Sequence, residues 1–192
     1  MKKNLLCLIS PFALLLAAQG AETFAIDPVH STVGFKVRHL FSKVGGRFAD
    51  VNGTIAVDAD YPENSTVEAT IAVKSITTEN EKRDTHLRSA DFFDAEKFGT
   101  MTFKSKSVKK TGDDTADVTG DLTMHGVTKE VTLHVKFLGK GAGMMGGVTT
   151  GWEAKTTIKR SDFGLTWNKS VEGVSVVGDE VDIELEIEAG HK

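Results

Sequence analysis

Val131-Thr132-Leu133-His134-Val135-Lys136-Phe137 decides the fold, because apolar and polar side chains alternate along it without a break. Successive side chains of a strand point to opposite faces. A period of two therefore predicts a strand with one face buried and one wet. The same period recurs upstream. Ala116, Val118, Gly120, Leu122 and Met124 carry it, as do Met101 and Phe103 against Thr102 and Lys104. Val67, Ala69, Ile71 and Val73 repeat it, and so do Val33, Phe35 and Val37 against Gly34, Lys36 and Arg38. Downstream, Val181, Ile183, Leu185 and Ile187 alternate with Asp182, Glu184, Glu186 and Glu188, an acidic fringe that reads as a solvated outer face.

The segments 47–58 and 147–160 bring the expected long strands to eight. Turn residues such as Gly112-Asp113-Asp114 separate them at hairpin spacing, and no helix of crossover length lies between, so the strands should be antiparallel. An all-β sheet of this kind must dispose of its edges. Closure into a lipocalin-like barrel does so, with a two-sheet sandwich as the alternative. Strands of about 10 residues favour the barrel. An eight-stranded barrel has room inside for one small ligand.

Only 80–98 departs from the period. Glu81, Lys82, Arg83 and Asp84 lead into Leu87, Phe92, Phe93 and Phe98, which predicts one or two short helices across an end of the sheet. The glycine-rich stretch Gly139 to Gly151, with the pair Met144-Met145, is expected to be a mobile hairpin loop.

Residues 1–20 read as a signal peptide. Lys2 and Lys3 form a positive start, Leu5 to Ala18 is apolar, and Ala18-Gln19-Gly20 offers small residues for cleavage before Ala21. The expectation is a periplasmic protein whose mature domain spans 21–192. The single cysteine, Cys7, falls in the segment to be removed, so the domain must be held by its core rather than by disulfides. Losing two lysines takes the formal charge from −4 to −6, which argues against nucleic acid or an anionic membrane surface as partner. No later apolar run is long enough for a membrane span, and a homodimer remains open.

Several segments together resemble the YceI-like, polyisoprenoid-binding family. They are Ile26-Asp27-Pro28-Val29-His30-Ser31, followed by Val33, Phe35, Val37, His39-Leu40, Gly46 and Phe48. Arg83-Asp84 and the run from His86 to Asp94, with Lys97-Phe98, come next. Gly120-Asp121-Leu122-Thr123, Gly126-Val127-Thr128, Arg160-Ser161-Asp162-Phe163-Gly164 and Val177-Gly178-Asp179 complete the set. One departure is Gly99, where many relatives have proline. The resemblance implies a barrel that takes a long isoprenoid or similar lipid into its interior, export to the periplasm, and neither metal nor established catalysis.

The residues expected to face that ligand are Val33, Phe35, Val37, Phe103, Leu122, Leu133, Val135, Phe137, Trp152 and Ile158. Phe92, Phe93, Met144 and Met145 are candidates for the two ends. Rival chemistry is poorly supported. Gly141, Gly143 and Gly146 match G-x-G-x-x-G, but strand sequence follows where a dinucleotide site needs a helix. His30 and His39 sit at opposite ends of one strand, no H-x-x-x-H spacing exists, and no metal or other cofactor is expected. His30, Asp84, His86 and Arg88 are expected instead to tie the N-terminal segment and the helical turn to the barrel end. No Gly-x-Ser-x-Gly elbow or inward carboxylate pair suggests an enzyme. Two alternatives to the lipid carrier stand: an envelope stress-response or interaction module with a filled barrel, and an isoprenoid-modifying enzyme.

Overall fold

The computed structural model describes residues 20–144, 146–171 and 173–191. The proposed signal peptide, Cys7 and Met145 lie outside the described residues.

The chain forms β1 (Glu22–Ile26), β2 (Thr32–His39), β3 (Ser42–Phe48), β4 (Val51–Val57), β5 (Thr66–Ala72) and the short β6 (Ile76–Thr77). One helix, α1 (Glu81–Arg88), precedes β7 (Thr100–Lys110), β8 (Thr115–Met124), β9 (Val127–Ala142) and β10 (Val148–Lys159). A small hairpin, β11 (Ser170–Val171) and β12 (Val174–Ser175), leads into the long β13 (Val177–His191). All pairings in the main sheet are antiparallel. The order β1-β4-β5-β7-β8-β9-β10-β13 returns to β1, because Ala25 and Ile26 pair with Gly190 and Ala189. That is a closed eight-stranded barrel. Farther along, β13 also pairs with β2, which carries β3 and then β6 at the other end of the molecule.

The strand that closes the ring, β1, was not among the expected strands. Only Phe24 and Ile26 alternate there, too few positions for a period to stand out, yet both are buried. The expected strand 47–58 is broken at Ala49-Asp50 into β3 and β4, and each half pairs with a different partner. The stretch 139–151 is not a loop through most of its length. β9 runs to Ala142 and β10 begins at Val148, so the glycines at 139 and 141 are strand residues.

Local chemistry fixes these elements. Asn80 caps α1, its side chain accepting from the Arg83 N–H. His125 and Gly126 both have positive φ, as a two-residue hairpin between β8 and β9 demands. Gly46 lets the Phe35 ring lie across β3, for a Cβ there would stand 2.4 Å from Phe35 Cζ.

The packed core includes Phe24, Val51, Ile76, Phe163 and Ala189, all almost wholly buried. Trp152 packs against that core and meets Phe137 at 4.6 Å between ring centroids. Outward positions are polar. Lys36 pairs with Glu184 at 2.8 Å and Lys43 with Asp182 at 2.7 Å, so much of the acidic fringe is matched by cross-strand lysines. Among the described residues, no helix is long and apolar enough to cross a membrane.

Candidate functional site

Alternation gives β2, β7, β8, β9, β10 and β13 one apolar face each, and closure turns those faces toward one another. They do not meet everywhere. A cavity of about 310 Å³ remains toward the end where β2, β3 and α1 lie. Val33, Phe35 and Val37 of β2, Phe103 of β7, Leu122 of β8, Leu133 of β9 and Ile158 of β10 line it. Phe92 and Phe93, from the turns after α1, line it as well. These residues are thus brought together as the sequence expects.

Other expected lining residues lie elsewhere. Val135, Phe137 and Trp152 continue the inward faces of β9 and β10 but belong to the filled end. There Trp152 Nε1 donates to Thr150 Oγ1 at 3.0 Å and its ring packs on Phe137. Met144 is fully exposed at the β9–β10 turn. Alternation reports which face a residue takes but says nothing about how far along the barrel packing is complete.

The cavity has a second character at its far end. Beside the apolar wall stand Arg38 and His39 from the end of β2, Arg83 and His86 from α1, and Arg160 and Trp167 from the segment after β10. Arg160 stands in a segment that carries the family resemblance, but its place on the cavity wall was not foreseen, because a lone arginine at a strand end carries no spacing signal. It is 7 % exposed and makes no ion pair among the described residues. Its Nε donates to the Gly178 carbonyl at 2.8 Å, and its Nη1 donates to the carbonyls of Leu165 and Trp167. Burial lowers its pKa, while the nearby Asp179 charge raises it. His86 meets Phe92 and Trp167 edge-on at 5.0 and 4.9 Å, and its Nε2 donates to Asp91 at 2.8 Å. Leu87 and Trp167, also unforeseen, come from a helix and a loop that only the folded chain brings over the barrel.

The family model described as YceI-like domain matches residues 24–189, which is β1 through β13. The chain belongs to the YceI-like family. A UPF0312 protein of Ectopseudomonas mendocina is 44 % identical over 169 residues, covering 86 % of this chain and 88 % of its own. The crystal structure of BcnA from Burkholderia cenocepacia superposes with a TM-score of 0.75 at 25 % identity, over 85 % of this chain and 98 % of BcnA. A polyisoprenoid binding domain from Saccharophagus degradans shares the fold at a TM-score of 0.64 and 16 % identity. That match covers 88 % of this chain and 98 % of the other.

In this YceI-like barrel the polar ties differ in part from expectation. His30 Nδ1 donates to Asp27 at 2.9 Å within its own exposed turn, and Glu188 of β13 acts on it by charge alone, so the hydrogen-bonded tie to the barrel comes from its neighbour. Buried Ser31 does that work. Its Oγ donates to the Glu188 carbonyl and accepts from the Glu188 N–H, each at 3.1 Å. Arg88 holds the helix end by donating to the carbonyls of Lys74 and Ile76. Asp84 is 3 % exposed and accepts from both the N–H and the hydroxyl of Thr78, itself a cavity residue. Burial alone would raise the Asp84 pKa. Hydrogen bonds from Thr78 and Thr77, with the Arg88 charge, outweigh it and hold the carboxyl below its ordinary value.

A depressed carboxylate pKa stabilises the fold above the unfolded value, about 3.9, and that contribution is lost as pH falls through the folded value. Asp84→Ala is expected to cost about 1–3 kcal/mol at neutral pH by leaving buried donors unpaired. It should also remove part of the wild-type loss of stability below about pH 4. Denaturant midpoints of both proteins across acid pH check this. An unchanged midpoint at neutral pH would show the Thr78 contacts to be idle.

Proposed function

We propose that this chain is an exported carrier that sequesters a long apolar chain, isoprenoid or similar, inside its barrel. The observation that carries the reading is the apolar cavity itself, left open inside a closed barrel. A filled-barrel interaction module would need no such space. The family assignment agrees with the reading, and the name of the Saccharophagus degradans neighbour points the same way. The charged start and apolar run of residues 1–20 support the export part of this reading.

The driving force is removal of methylenes from water, about 0.8 kcal/mol for each one buried. Ordering the chain offsets much of that sum. A cavity of about 310 Å³ lies at the small end of ligand pockets, so it takes a segment of a long tail rather than all of it. The remaining tail must leave through an opening. The lipid serves as cargo, and no covalent step is required of the protein.

Protein purified from its native envelope is expected to carry about one equivalent of an apolar chain, seen as a mass adduct in native mass spectrometry and recovered by solvent extraction. Empty protein from several hosts, together with failure to bind a fluorescent lipid, would return the barrel to a purely structural role.

A further inference from the structure

The cavity wall is strongly biased in charge. Arg38, Arg83, Arg160, His39 and His86 contribute to it, and among the described residues no Asp or Glu does, although the whole chain carries a formal charge of −4. Carboxylates around that end hydrogen-bond elsewhere: Asp84 with Thr78, Asp91 with His86, and Asp179 with the Ser161 N–H and hydroxyl. Among the described residues, none of these arginines forms an ion pair with an acid. Arg83 donates to the Thr78 hydroxyl at 2.7 Å and the Thr78 carbonyl at 3.0 Å. Arg38 donates to the carbonyls of Leu40 and Ser175. Arg160, the most buried of the three, touches carbonyls alone.

Carbonyls satisfy guanidinium donors without neutralising them; the Asp179 carboxylate offsets the Arg160 charge only from a distance, and a buried charge with no direct ion pair is costly to keep. A purely hydrocarbon ligand gives no reason to keep it there. Resting on the lumen reading above, we infer that the cavity selects an amphiphile with an anionic head, a carboxylate or a phosphate. The head sits at the Arg38, Arg83 and Arg160 end while the tail runs toward Phe103 and Leu122. Planar guanidinium groups suit both oxyanions, and His86 with Trp167 walls the head from the side.

The test uses a fluorescent polyene fatty acid and its methyl ester at neutral pH, with an alkyl phosphate and an alkanol of equal length as competitors. Wild-type protein is expected to bind the acid about tenfold or more tightly than the ester, and to lose that preference as salt is raised. The phosphate should compete better than the alkanol; whether it or the carboxylate competes better identifies the head. Arg160→Gln should collapse the acid-to-ester ratio. Because Arg160 also braces 165–178, Arg38→Gln with Arg83→Gln provides a second variant on exposed positions, also expected to lower the ratio. Equal binding of acid and ester by the wild type overturns the head-group assignment and leaves the apolar lumen standing. Failure of the acid and ester alike overturns both.

Discussion

Replacing Phe24 with Ala is expected to lower the unfolding free energy by about 3–5 kcal/mol, the largest single loss in this barrel. The ring is 1 % exposed and sits on β1, the strand whose pairing with β4 and β13 completes the ring. It meets His191 at 5.0 Å between ring centroids and lies under the Lys140 ammonium. Glu22, two residues earlier, accepts from Lys140 and His191, so this short strand binds two neighbours at once. Removing the ring leaves a void among residues that cannot all collapse into it. A domain of this kind is stable by only about 5–15 kcal/mol, so the change should be plain in a denaturant curve. A loss under about 1 kcal/mol would mean that β1 is not part of the cooperative unit.

Val37→Phe is expected to abolish most lipid uptake while changing the stability of delipidated protein by less than about 1 kcal/mol. Val37 pairs with Val44 and Val181, and all three line the cavity. In a close-packed interior the added volume would force strain of about 1–3 kcal/mol. In an open lumen the ring enters empty space and takes volume that the tail needs. Val135→Phe is the companion measurement. It lies on an inward strand face outside the cavity, so uptake should persist. Fluorescent lipid titration and denaturant unfolding on the same samples decide the matter. Clear destabilisation by Val37→Phe with undiminished uptake would make Val37 ordinary core and move the ligand site elsewhere.

The contrast between Val37 and Val135 shows where sequence reading stops. Both are apolar residues between polar neighbours, and alternation assigns both to the inside. Whether the inside at that level is filled depends on what the other strands bring. Trp152 and Phe137 fill one end, while Val33, Leu122 and Leu133 face each other across a gap at the other.

The period of two in the sequence set the strand character, the antiparallel pairing and the wet and dry faces, and it favoured a barrel over a sandwich, which closure through β1 then decided. The first three are local properties, set by the pleat and by turn residues a few positions apart. The short helix after residue 80 was legible for the same reason, in the break of the period and its charged first turn. Tertiary structure alone decided that Glu22–Ile26 closes the barrel, since that pairing joins residues at opposite ends of the chain. It alone decided that the glycine-rich stretch is mostly strand, because β10 and β13 supply partners for backbone that would otherwise be loop. The basic end of the cavity was likewise invisible. Arg38, Arg83 and Arg160 stand far apart in sequence with no common spacing, and only closure of the sheet beneath α1 brings them around one opening.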